Sequence, residues 1–99
     1  MIINMDKQDI IKEVTSIVHR ELGSEYKVVL FGSQARGDAQ ERSDIDIGIR
    51  GPDKVPWATY LRIRDAVENI GTLRQIDVVD LNAVSDRFRN RAMREAIAL

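Results

Sequence analysis

The 99-residue sequence predicts an α/β (α+β) fold, a small mixed three-stranded sheet flanked by helices. Three observations carry that expectation. Apolar residues recur at helical spacing in three separate stretches. Three short runs, "KVVLF", "SDIDIGI" and "QIDVVDL", have strand length and strand patterning. The helical and extended stretches alternate along the chain, the order expected of helices packed on a sheet. Residues 1–99 read as one domain, since a chain of this length is near the lower end of what a single hydrophobic core stabilises.

Each element has its own justification. Asp6 can cap a first helix whose apolar positions are Ile10, Ile11, Val14, Ile17, Val18 and Leu22, with Gly23 closing it. Lys27 to Phe31 is a continuous apolar run that suits a buried strand. Gly32 and Ser33 then form a turn from which a short helix can start. In "SDIDIGI" the alternation is strict: Asp44 and Asp46 face one way, Ile45, Ile47 and Ile49 the other. Gly51 and Pro52 stop this strand. A second long helix, with Pro56 in its first turn and Gly71 after it, carries Trp57, Tyr60, Leu61, Ile63, Val67 and Ile70 on its expected core face. Gln75 to Leu81 forms the third strand. Ser85 can cap a last helix with the stripe Phe88, Ala92, Met93, Ala96 and Ile97. A three-stranded sheet keeps an open edge, one reason to expect a partner.

Composition narrows the function classes. Hydrophobic residues make up 43% and charged residues 31%, and the net charge is −1. No general field draws such a chain to nucleic acid, and direct nucleic-acid binding is not expected. With no cysteine, disulfides and thiolate metal sites are excluded. The first residues lack the build of a signal peptide, and no apolar run approaches the ~20 residues that span a bilayer. A cytoplasmic, membrane-free location is the default expectation.

The unusual feature is a pair of acids on one face of a strand. Residues two apart lie about 7 Å from each other at Cα, so Asp44 and Asp46 can converge on one point. Their repulsion is relieved by a cation between them, and magnesium suits such a pair because it prefers oxygen ligands and retains positions for water and phosphate. Solvent-facing aspartates on a half-exposed strand give the same pattern, so the pair alone does not decide. Gly32 lets backbone approach a ligand closely, and Ser33 offers a hydroxyl and an N–H suited to phosphate oxygens. Neither a Walker-type nor a dinucleotide-binding glycine motif is present.

Taken together, Gly32, Ser33, Ala35, Arg36, Gly37, Ser43, Asp44 and Asp46 reproduce the signature Gly-Ser-x-Ala-Arg-Gly, five residues, Ser-Asp-x-Asp. In this the chain resembles the minimal nucleotidyltransferases (MNT) of the DNA polymerase β-like nucleotidyltransferase superfamily. The resemblance implies the nucleotidyltransferase fold and a third carboxylate on a later strand. "QIDVVDL" offers Asp77 and Asp80, which face opposite ways. Asp77 lies inside the apolar run, where a charge needs a partner, and is favoured; Asp80, at the strand's exit, can cap a turn.

What the resemblance implies chemically is transfer of a nucleoside monophosphate, AMP from ATP, to an acceptor hydroxyl with release of pyrophosphate. Two magnesium ions would clamp the entering and leaving oxygens. Asp44 and Asp46 would hold both ions, and Asp77 would complete the site that lowers the acceptor hydroxyl's pKa. Gly32 and Ser33 would bind the outgoing phosphates. Arg36 could pair with those phosphates, with Asp44, or in a structural salt bridge. Only one further helix follows Asp77, so the acceptor surface is expected from another molecule. By resemblance, that molecule is a HEPN-domain toxin whose tyrosine is modified with AMP and silenced. A non-catalytic antitoxin that masks its partner, and an enzyme nucleotidylating a small molecule, are the alternatives, and a homo- or hetero-oligomer fits all three.

Three other features carry less. Arg87, Arg91 and Arg94 share a face of the last helix, either as solvated charge or as a docking surface for an acidic partner or RNA. His19, the single histidine, lies beside the first helix's apolar stripe with no second ligand near it. Trp57 and Tyr60 are expected in the core.

Overall fold

The computed structural model describes residues 6–37 and 44–99. Its elements are α1 (Lys7–Leu22), β1 (Lys27–Phe31), α2 (Ser33–Arg36), β2 (Ile45–Arg50), α3 (Trp57–Glu68), β3 (Ile76–Asp80), α4 (Asp86–Glu95) and β4 (Ile97–Ala98). Side-chain caps fix several ends. Asp6 accepts the Asp9 N–H ahead of α1, and Ser85 Oγ accepts the Phe88 N–H ahead of α4, each satisfying a donor the helix leaves over. Helix α3 stops at Glu68, earlier than Gly71, because Asn69 closes it: its N–H and its side-chain amide both donate to the Asp65 carbonyl.

The sheet has four strands in the order β3-β2-β1-β4. Strand β1 is antiparallel to β2 and β4, and β2 is parallel to β3, so the sheet is mixed as expected. The fourth strand corrects the expected count of three. Ala96 leaves the helix with an extended backbone (φ −69°, ψ 143°), and Ile97 and Ala98 pair with Leu30 and Val29. The Leu99 N–H then donates to the Val28 carbonyl at 2.9 Å. The edge of β1 would otherwise keep unpaired backbone groups, and this pairing outweighs continuation of the helix.

Helices α1 and α3 cover one face of the sheet. Ile10, Val14, Val18, Ile45, Ile47, Ile49 and Ile63 are wholly removed from solvent there, and burial of each such side chain contributes roughly 1.5–3 kcal/mol. The opposite face carries a smaller cluster of Val29, Phe31, Leu81 and Ala92. Its strand centre is Gly48, where a Cβ would run into the side chains of Leu81 and Val29. Because this face is small, the α4 stripe is mostly uncovered: Ala92 is buried, whereas Phe88, Met93 and Ile97 are exposed. Trp57 and Leu61 likewise lie outside the core, Trp57 stacked on Tyr60 at a centroid distance of 5.8 Å. Tyr60 is half-buried and its hydroxyl donates to the Val78 carbonyl. Among the described residues, no helix is long and apolar enough to cross a membrane.

Candidate active site

The strand registers place Phe31, Asp46 and Asp77 in one row across β1, β2 and β3. Asp46 is turned to this face because its neighbours Ile45 and Ile47 are committed to the core on the other. Adjacent strands lie about 4.8 Å apart, so the register alone brings the Asp46 and Asp77 carboxyl groups together, and they share a hydrogen bond. Partial burial pushes the Asp46 carboxyl above the ordinary aspartate range. The negative charges of Asp77 and Asp44 and the hydrogen bond with Asp77 push it the same way, and the Arg36 guanidinium pulls it back. Asp44 is exposed, one residue before β2 begins.

The glycine turn is built against this pair. Gly32 takes φ 72° and ψ −156°, a region open to essentially no other residue. A Cβ there would collide with Asp46 Oδ2, so bare backbone is what lets the turn rest on the carboxylate. Ser33 follows as the first residue of α2, partly buried. Gln34 is buried, and its Nε2 donates to the Asp44 carbonyl at 3.5 Å. Ser43, the remaining position of the signature, lies outside the described residues. Arg36 Nη1 forms an ion pair with Glu95 Oε2 of α4 at 2.9 Å.

On β3 the two candidate acids separate as their spacing requires. Asp77 joins Asp46, and Gln75 Nε2 donates to its Oδ1 at 3.2 Å. Asp80 faces the helices, where Oδ2 accepts the Val55 N–H and Oδ1 accepts the Asn82 N–H; it closes a loop. Asp46 and Asp77 open into a cleft of about 820 Å³ that is also lined by Phe31, Phe88, Arg74 and Gln75. Phe88 meets Phe31 edge-to-face at 6.1 Å.

Gln34, Gln75 and Phe88 are site residues the sequence reading passed over. Gln34 fills the variable position of the signature, and its residue type gives no signal of the burial it shows. Gln75 stands two residues before Asp77, hence on its face. Phe88 has the spacing of a core stripe, and the shortness of the covered face puts it in the cleft.

The donor set is all oxygen. Among the described residues, no three acidic or imidazole side chains enclose a single point. The site is instead a facing carboxylate pair with a third acid close enough to raise Asp46. Such an open platform fits a small hard cation that keeps water and phosphate among its ligands. His19 has no part in it: the ring is exposed, with Nε2 3.2 Å from the Tyr26 carbonyl.

Residues 12–99 match the family model for the polymerase beta nucleotidyltransferase domain. A candidate protein adenylyltransferase of Methanocaldococcus jannaschii is 34% identical over 77 residues, 75% of this chain and 88% of the relative. The solved structure of a candidate minimal nucleotidyltransferase superposes with a TM-score of 0.71 at 29% identity, covering 93% of this chain and 91% of that one. A Shewanella oneidensis complex of a tri-AMPylated HEPN toxin with an MNT antitoxin shares the fold, with a TM-score of 0.68 at 16% identity over 94% of this chain and 71% of that one.

Proposed function

The chain belongs to the polymerase β nucleotidyltransferase family, and on that premise we propose that it moves AMP from ATP to a tyrosine hydroxyl of a HEPN-domain toxin and so acts as that toxin's antitoxin. The observation that carries this reading is the row in which Asp46 and Asp77 face each other with Gly32 pressed against Asp46. The protein acceptor is supported by the likeness to the Methanocaldococcus candidate protein adenylyltransferase, and the toxin partner by the Shewanella complex. Residues 1–99 act as one domain in the cytoplasm.

Asp44, Asp46 and Asp77 are the residues that would hold divalent magnesium. When bound, two such ions supply charge neutralisation of the triphosphate and a lowered pKa for the acceptor hydroxyl. The Gly32 and Ser33 N–H groups and the Ser33 hydroxyl bind the β- and γ-phosphates, and Gly32 lets them come close to Asp46. Arg36, tied to Glu95, places positive charge beside the turn. Asp77 lies on the outermost strand at this side of the sheet, where an incoming tyrosine reaches it, and it takes the hydroxyl proton. The tyrosine oxygen forms a bond to the α-phosphorus, the α–β phosphoanhydride bond breaks, and pyrophosphate leaves.

The test is a mass measurement. The purified chain with ATP, magnesium and a HEPN-domain toxin should add AMP to the toxin's tyrosine. An unchanged toxin mass, with the toxin nevertheless held in a stable complex, would replace transfer by simple masking.

A further inference from the structure

Residues 86–99 combine two surface features. They hold four large apolar side chains that are substantially exposed: Phe88 at 43%, Met93 at 38%, Ile97 at 47% and Leu99 at 41%. They also hold arginines that nothing offsets. Arg87, Arg91 and Arg94 fall at helical spacing on one side, all exposed, and among the described residues none has an acidic side chain within ion-pair distance. Both acids of the helix are engaged elsewhere, Asp86 with Arg89 at 2.8 Å and Glu95 with Arg36 at 2.9 Å. Arg89 is structural, its guanidinium donating to the Leu81 and Val84 carbonyls. Arg87, Asn90, Met93 and Arg94 line a shallow hollow of about 570 Å³.

We infer that the outer face of α4, centred on Arg87, Asn90 and Arg94 and flanked by Arg91 and Met93, is a docking surface for an acidic protein. Arginine and methionine beside exposed aliphatic side chains are the composition of a protein interface core. A single-stranded RNA would instead need flat rings among the cations, and Phe88 is turned into the cleft against Phe31. A second copy of this chain fits poorly, because a two-fold contact would set the same arginines against each other. The location has a consequence for the transfer reaction, resting on the function proposed above. The helix that carries the arginines also carries Phe88 on the wall of the Asp46–Asp77 cleft and Glu95 on Arg36 beside the Gly32 turn. A partner seated on α4 is therefore held next to the site that receives its hydroxyl.

The surface can be tested without nucleotide, so that its failure and the failure of the transfer reaction are separable. The full ¹⁵N-labelled chain is titrated with poly-L-glutamate and, separately, with poly(U) RNA. Amide shifts on polyglutamate should centre on Arg87, Asn90, Arg91, Met93 and Arg94, and affinity should fall about tenfold as added salt shortens the screening length. R87E/R91E/R94E, checked for retained fold by its spectrum, should lose at least that factor, whereas K12E, at an exposed position of α1, should bind as the parent does. Shifts spread over the whole surface, tighter binding of poly(U) on α4, or self-association of the parent that R87E/R91E/R94E abolishes would each overturn the assignment.

Discussion

Two neighbouring rows of the same three strands show how this molecule divides its work. Leu30, Ile47 and Val78 form one row, packed under α1 and α3. One residue along, Phe31, Asp46 and Asp77 form the next and point the other way. The first row has apolar side chains and no titratable group. The second sets two carboxyl groups against each other, beside Phe31 and against the bare backbone of Gly32. The first row packs the sheet under its helices, and the second brings together two carboxyl groups whose closeness, with partial burial, raises Asp46. A strand's period of two lets both exist within one residue of each other.

The comparison can be pressed by substitution, and the largest effect belongs to the charged row. Asp46→Asn should lower label transfer from α-labelled ATP on the order of a thousandfold, the scale of losing a main electrostatic stabiliser, while raising the midpoint of thermal unfolding at neutral pH by a few degrees in metal-free buffer. A variant that is inactive and also less stable would place Asp46 with the core row. Ile47→Ala, on the next residue, should do the reverse. It should cost about 3 kcal/mol in urea unfolding and leave turnover per folded molecule nearly unchanged.

Gly32→Ala lies between the two. It forces a Cβ onto the Asp46 carboxylate at a positive φ, and a destabilisation of about 1–3 kcal/mol should accompany loss of ATP binding by calorimetry. The pH dependence is smaller. The fold raises the Asp46 carboxyl above its ordinary 3.8, so the folded state disfavours the ionised form. That cost is fully present above the raised pKa and is relieved as pH falls through it toward the unfolded value. In metal-free buffer the stability lead of Asp46→Asn over the parent should therefore shrink as the solution is acidified through this window, measured by urea unfolding. The smallest effect is expected of Glu95→Gln, which removes an exposed ion pair with Arg36 and should change stability by less than about 1 kcal/mol.

Much of this was legible from residue order, for reasons the rows make plain. The Ile45, Ile47, Ile49 alternation fixes which way Asp46 faces, and the opposite facing of Asp77 and Asp80 follows from their spacing. What the sequence did not show depends on how much of a face its partner helix covers. The apolar pattern of α4 looks like a core stripe, yet the end of the face beside Phe88 holds Asp46 and Asp77, so Phe88 stays exposed. Strand β4 was hidden for a related reason: Ile97 continues the helical period, and only the unpaired edge of β1 draws it out. Arg36 had three partners open to it in sequence, and its ion pair with Glu95 joins elements far apart in the chain.

The central claim is that Asp44, Asp46 and Asp77 act as one magnesium-nucleotide site. Carbon-13 shifts of the aspartate carboxyl groups, followed while magnesium and a non-hydrolysable ATP analogue are added, test it most directly. The three resonances should move together along one saturation curve, with Asp80 stationary, and Asp77→Asn should weaken the response of the other two. Nucleotide binding that leaves Asp46 and Asp77 unmoved would contradict it.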